Sequence, residues 1–268
     1  MSVSAHPAVA GAVAESSVIA LHEHHAVATS TNDLARQRVL AGAPLGLLVT
    51  ADRQSAGRGR AGRPWTDDVD GPSGPANLAV SLVVPVPPVA PTLTPLIAGL
   101  AVASAYDDAG AGPRLKWPND VLLDGRKAAG ILVERHRLAG VEVAIIGCGL
   151  DLDWRGVVRQ GEWAGWTSLA ESLGRDIDRG VVLAALITAL DRELAGLDRP
   201  DRTLARYRQR CVTIGQEVHV SLPGGAALSG HAVEVDDDGL LVVDTGRERV
   251  AVRAGDVTGI ADVTVAGT

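Results

Sequence analysis

The sequence predicts an α+β fold with two unequal parts, a larger domain of helices and strands over residues 1–209 and a small all-β domain over 210–268. Two textures carry this reading. Up to Arg210, short apolar runs alternate with stretches of helical period; after it come only short runs separated by Gly or Asp turns. The length of 268 residues and the 46% hydrophobic content suffice for one large core plus a satellite, and exclude a wholly disordered chain.

Each element has a local cause. Residues 1–15 are rich in Ala and Val without Lys or Arg, so they lack the basic start of a secretory signal and read as a flexible leader. Val18–Leu21 reads as a first strand. Ser30-Thr31-Asn32 supplies an N-cap for a helix carrying Leu34, Ala35, Val39 and Leu40, which Gly42 and Pro44 end. Leu47–Ala51 reads as a buried strand, and Asp52–Pro64 as a Gly/Arg loop without hydrophobic period. Asn77–Val84 alternates as a strand until the Pro-rich segment Pro85–Pro91 stops it. Thr92 to Ala109 is small and apolar throughout, as a buried helix is. Val121–Leu123, Asp124-Gly125 and Ile131–Glu134 read as a hairpin with a primed turn. Val141–Ile146 is a further strand, leading into a flexible Gly147–Gly149 turn and the carboxylate of Asp151. Thr167 to Arg210 is helical. Val212–Val220, Ala227–Val235, Leu240–Asp244 and Arg249–Val252 complete a small β-barrel.

Composition excludes several functions. A net charge of −7 argues against a nucleic-acid-coating protein. No apolar run reaches the roughly 18 residues a membrane helix needs. Cys148 and Cys211 are too few for a disulfide framework and read as buried thiols in a reducing cytoplasm. The 25 basic residues are 23 Arg and only Lys116 and Lys127. Where Arg fills every other cationic position, a retained Lys suggests a place that needs a compact ammonium.

Four segments carry chemistry. Gly57, Gly59 and Gly62 match a dinucleotide fingerprint, but Pro64 and Trp65 follow where a helix should open. The better reading is an anion cradle of Arg58, Arg60 and Arg63 on a freely approaching backbone. Lys116-Trp117-Pro118-Asn119-Asp120 presents an ammonium, an amide and a carboxylate, and an Asp beside a phosphate site can hold Mg²⁺. Lys127-Ala128-Ala129-Gly130 places a lysine before small residues at the mouth of the hairpin. Gly147-Cys148-Gly149-Leu150-Asp151 ends a strand. His22, His24 and His25 have no common metal-site spacing. Asp236-Asp237-Asp238-Gly239 reads as a turn rather than a Ca²⁺ loop.

In order and spacing, these segments together resemble the biotin–protein ligases over residues 16–262. The resemblance is to the monofunctional branch, since no helix-turn-helix fits before Val18. It implies a mixed central β-sheet flanked by helices, related to lipoate ligases and class II tRNA synthetases, with an SH3-like C-terminal domain. By the same resemblance, Ser30, Thr31, Asn32 and Gln54 lie at the biotin head group, and Arg58, Gly59 and Arg60 fold over biotin and the adenylate phosphate. Lys127, with Gly130 nearby, meets the reacting carboxylate. Arg63, Lys116, Asn119 and Asp120 serve the nucleotide, with Mg²⁺ at Asp120, and Trp166 packs over adenine. Lys127, Arg60 and Lys116 are the expected catalytic set. At Asp151 the family usually has Asn; an anion near triphosphate is unfavourable unless a cation neutralises it, so Asp151 is expected either to hold Mg²⁺ on the nucleotide side or to sit aside.

The implied reaction is ATP-dependent formation of biotinyl-5′-AMP, then transfer to a lysine of a biotin carboxyl carrier protein domain of a carboxylase. ATP, Mg²⁺ and biotin are substrates, with no prosthetic group. No nucleic acid or membrane is expected as a partner, and the chain is expected to be a cytoplasmic monomer or weak homodimer. A lipoate–protein ligase of the same fold and a non-catalytic biotin- or nucleotide-binding regulator are the alternatives.

Overall fold

In a computed structural model of the chain, the apolar runs assemble into a seven-stranded mixed sheet and a five-stranded antiparallel sheet. The structure describes residues 3–65, 70–72, 74–86, 91–138, 140–159 and 161–259. Residues 87–90 of the Pro-rich segment, and 260–268 at the C-terminal end, therefore lie outside the described residues.

The expected flexible leader is instead helical. After a 3₁₀ turn at Val3–Ala5, α1 spans Pro7–Glu15, with Pro7 in the first turn and His6 Nδ1 accepting from the Ala8 N–H. Val3 and Val9 are buried in the main core. Behind α1, the Ser17 and Val18 amides both donate to the Asp191 carboxylate at 2.7 and 2.9 Å. The Ala- and Val-rich composition of this segment thus reflects the docking of Val3 and Val9.

The first strand, β1 (Leu21–Ala28), begins where the expected Val18–Leu21 strand ends. It is an edge strand, paired only with β2 (Leu47–Gln54), and in parallel. An edge strand tolerates polar side chains, so His22–His25 hid it from an apolar search. His22 Nε2 and His24 Nδ1 both meet Thr50 Oγ1, at 2.8 and 3.0 Å. Among the described residues no cluster suited to a metal ion occurs.

Between β1 and β2 runs α2 (Thr31–Leu40), with Ser30 as its N-cap. The glycine–arginine segment folds as a ribbon of β3 (Gly57–Arg58) and β4 (Pro64–Trp65) around a 3₁₀ turn at Arg60–Gly62. A second short ribbon, β5 (Asp70–Gly71) and β6 (Gly74–Pro75), precedes β7 (Asn77–Pro85). Then come the buried helix α3 (Leu93–Asp108), β8 (Arg114–Lys116), β9 (Asp120–Leu123), β10 (Arg126–Leu138) and β11 (Val141–Asp151). The β9–β10 turn has Asp124 at φ 51° and Gly125 at φ 74°, the primed geometry that Asp-Gly predicts. The sheet order is β1-β2-β7-β11-β10-β9-β8.

Alternation along β7 and β11 separates two covered faces rather than core from solvent. Val80, Leu82, Ile146 and Cys148 face the large core under α3 and α5 (Arg179–Ala195), while Val83, Val143 and Ile145 pack under α2. β11 runs straight through Gly147 and Gly149, so the expected flexible turn there is continuous strand. The short α4 (Leu169–Leu173), capped by a Ser168–Glu171 box, and α6 (Pro200–Arg210) complete the helical layer.

The second sheet contains β12 (Glu217–Ser221), β13 (Ala227–Val235), β14 (Leu241–Asp244) and β15 (Arg249–Val252), plus β16 (Asp256–Gly259), which pairs with β12. Asp236 Oδ1 accepts from the Asp238 and Leu240 amides, which makes the Asp-rich segment a turn. Its Gly239 sits at φ 77° against Leu93 and Leu96 of α3, and its carbonyl accepts from Trp117 Nε1 at 3.0 Å. These contacts seat the small sheet against α3 and the β8–β9 connection.

Candidate active site

A cleft of about 390 Å³ opens between the large sheet, the glycine–arginine ribbon and the end of the small sheet. Every residue expected from the sequence to form the site lines it except Asp151. That carboxylate is fully buried on β11 opposite Asn77, close enough to raise the Tyr106 hydroxyl's pKa, after burial itself. Its place in the sheet keeps it from the cleft, against the expectation of nucleotide contact.

The inner wall is polar and internally bonded. Ser30, Thr31 and Asn32 arrive at the N-terminus of α2, where capping fixes the backbone. The Thr31 N–H donates to Gln54 Oε1 at 2.8 Å. Ser81, fully buried on β7, lies 2.7 Å from Thr31 Oγ1 and 2.6 Å from Asn32 Oδ1. Asn32 Nδ2 donates to Glu134 at 2.7 Å. Gly147 leaves room for this wall, since a Cβ there would stand 2.5 Å from Asn32 Oδ1.

The outer wall is cationic. Its arginines do not converge on one point. Arg58 donates to Asp33 at 2.8 Å and to Glu134 at 3.1 Å. Arg60 reaches Asn119 Oδ1 at 2.8 Å and the Gly255 carbonyl at 3.1 Å; burial pulls its guanidinium below the ordinary value. Arg63 pairs with Asp256 at 2.7 Å. Asn119 is itself fixed by donating to the Ile131 carbonyl at 3.1 Å.

Lys127 stands where the walls meet. Its Nζ is 2.8 Å from Asp120 Oδ1 and lies 5.3 and 4.8 Å from the indoles of Trp65 and Trp166. Two aromatic faces and one carboxylate hold a compact ammonium without filling its hydrogen-bonding capacity. Trp166 stacks in turn on the buried Trp154. Trp65 lies over Gly130 and Gly149, where added Cβ atoms would meet its ring at 2.7 and 2.4 Å. Lys116 enters from β8, paired in register with Asp120. The acidic side chains lining the cleft are Asp120 and Asp256. A single accessible carboxylate such as Asp120 fits Mg²⁺, which takes one or two carboxylates and otherwise uses phosphate oxygens and water. Cys148 also lines the cleft, but burial pushes its thiol up to about 12, so it stays protonated near neutral pH.

Sequence reasoning missed four participants: Trp65, Ser81, Glu134 and Asp256. Glu134 left a trace as the acidic residue ending the apolar run Ile131–Val133. Asp256 left none, being 193 positions from the arginine it holds.

Residues 25–151 match the model of the biotin/lipoate A/B protein ligase family, and residues 213–258 match that of the biotin protein ligase C-terminal domain. The chain is 36% identical to a biotin–[acetyl-CoA-carboxylase] ligase of Mycobacterium tuberculosis over 85% of each chain. A Paracoccus denitrificans protein of the same description is 32% identical over 78% of this chain and 88% of that one. Among solved structures, the fold is similar to that of an Aquifex aeolicus biotin protein ligase in complex with biotin and ATP, with a TM-score of 0.73 at 23% identity and coverage of 90% and 98%. A Leishmania major biotin protein ligase in complex with biotinyl-5-AMP gives a TM-score of 0.59 at 26% identity, over 90% and 98% of the two chains.

Proposed function

The chain belongs to the biotin/lipoate A/B protein ligase family, and we propose that it joins biotin to a carboxylase in two steps. The biotin carboxylate attacks the α-phosphorus of ATP, the bond to the β-phosphate oxygen breaks, and pyrophosphate leaves. An acceptor lysine of a biotin carboxyl carrier protein domain then attacks the acyl carbon of biotinyl-5′-AMP, and AMP departs. Neither step calls for a covalent enzyme nucleophile, in keeping with the inert Cys148.

The observation that carries this reading is the position of Lys127 between a polar inner wall and a cationic outer wall. A bicyclic polar head fits the first, a triphosphate the second, and the carboxylate and α-phosphate meet at the ammonium. Negative charge builds on the phosphoryl oxygens in the transition state, and preorganised cations stabilise it. In our assignment Ser30, Thr31, Asn32, Gln54 and Gly130 bind biotin. Arg58, Gly59 and Arg60 close over biotin and the adenylate phosphate, and Arg63, Lys116, Asn119 and Trp166 serve the nucleotide. Lys127, Arg60 and Lys116 stabilise the developing charge. Mg²⁺ would be carried by the phosphates and Asp120, supplying further positive charge at the leaving group. Residues 1–209 form the catalytic domain in this scheme, and 210–268 complete the cleft through Gly255 and Asp256.

The test is pyrophosphate release from MgATP with biotin or with lipoate, followed by labelling of a carrier domain. Biotin-dependent release and labelling are expected. Release with lipoate alone would make the chain a lipoate ligase, and biotin binding without transfer would make it a regulator.

A further inference from the structure

The inner wall contains more hydrogen-bonding atoms than protons to join them, and that shortage fixes its direction. Glu134, as a carboxylate, can only accept, so the Asn32 amide must turn Nδ2 toward it, at 2.7 Å. Asn32 Oδ1 then faces Ser81 Oγ at 2.6 Å and cannot donate, so the single Ser81 proton is committed to it. Thr31 Oγ1 lies 2.7 Å from the same Ser81 oxygen. With the Ser81 proton spent, that contact is a hydrogen bond only if Thr31 donates. The Thr31 proton is thereby drawn from Gln54 Oε1, which is farther away at 3.1 Å and already accepts from the Thr31 backbone N–H at 2.8 Å. Thr31 Oγ1 is left with lone pairs to offer to the cleft.

We infer that Glu134 and Ser81 are positioning residues that set the hydrogen-bond polarity Thr31 shows to the ligand, and so select a head group that donates N–H. This rests on the biotin reading above and deepens it, since a cyclic urea carries ring N–H donors while a dithiolane carries none. Ser81 and Glu134 do not line the cleft, and Ser81 is wholly buried, so neither acts by touching the ligand. Glu134 also holds Arg58, which Asp33 holds independently, whereas the side-chain hydrogen bonds of Ser81 among the described residues go to Thr31 and Asn32.

The experiment compares biotin with its two carbamate analogues, in which one or the other ring N–H is replaced by oxygen, in ATP–pyrophosphate exchange. Wild type, Ser81→Ala and Glu134→Gln are measured. A site built to receive an N–H rejects the analogue lacking it, because two lone pairs then face each other; a preference of roughly a hundredfold or more in kcat/KM is expected for the worse analogue. In Ser81→Ala the Thr31 hydroxyl keeps only Gln54 Oε1, at 3.1 Å and already engaged by the backbone N–H, so its proton is held less firmly and can turn into the cleft; the preference is expected to fall to about tenfold or less, with KM for biotin raised and KM for ATP unchanged. Glu134→Gln frees the Asn32 amide to flip and is expected to move the ratio the same way. General loosening of the wall would weaken both ligands alike and leave the ratio untouched. A ratio that stays at its wild-type value in either folded variant overturns the inference. A wild-type enzyme with no biotin-dependent exchange overturns the proposed function and this inference together.

Discussion

The two walls of the cleft are built on opposite principles. The inner wall hangs on α2, β2 and β7, its Thr31, Asn32 and Ser81 are buried, and its bonds run within the wall. The outer wall hangs on a two-residue-per-strand ribbon, and its arginines are tied to carboxylates and a carbonyl, two of them to the small sheet. Buried, internally satisfied networks are rigid. Half-exposed ion pairs are worth at most about 1 kcal/mol and exchange for a better anion. In the proposed assignment the biotin head therefore meets a preformed surface, and the phosphates of the nucleotide meet cations that must first let go of their present partners.

Removing the group at the junction tests this contrast most severely. Lys127→Ala should cost about 3–4 kcal/mol of transition-state stabilisation in adenylate formation while biotin binding changes little. Lys127→Arg should also fail, because a planar guanidinium does not replace an ammonium between Trp65 and Trp166. Equal loss of biotin affinity and rate would mean that the walls are not separable. A smaller effect is expected from Gly149→Ala. Its methyl would occupy the Trp65 ring position and force the indole aside, at about 1–3 kcal/mol, seen as weaker ligand binding and an altered near-UV signal. Smaller still is Asp256→Ala. Losing this exposed pair should alter stability by about 1 kcal/mol or less, yet speed proteolysis in the 57–65 ribbon. Added biotin and MgATP should restore protection; if ligand protects wild type no better than buffer, the outer wall is as fixed as the inner one. Iodoacetamide near pH 8 is expected to leave Cys148 unlabelled by peptide mass spectrometry, since a buried thiol pushed up to about 12 stays protonated.

Local chemistry was legible in advance wherever one short segment decides it. The Ser30 cap, the Asp124-Gly125 turn and the run of small residues in α3 each depend on neighbours in sequence, and each formed where expected. What the sequence concealed depends on pairing at a distance. Gly147 and Gly149 suggest flexibility until Asn32 and Trp65 are seen filling the space above them, after which they are strand residues that must lack a side chain. Asp151 follows the glycines in sequence, yet it is buried at the end of β11 opposite Asn77, outside the cleft lining. β1 escapes an apolar search because an edge strand need not be apolar, and α1 reads as a leader because its partner α5 lies some 170 residues on.

The contacts of Arg60 with Gly255 and of Trp117 with Gly239 bear on how such chains can be recombined. Grafting the small sheet of a distant relative onto the larger portion would alter the anchoring of two loops at once, one carrying Arg58, Arg60 and Arg63 and one carrying Asn119 and Asp120. A working hybrid must therefore bring Gly239, Gly255 and Asp256, or their geometric equivalents, with it, so drift in the sheet and drift in the loops are constrained to keep step.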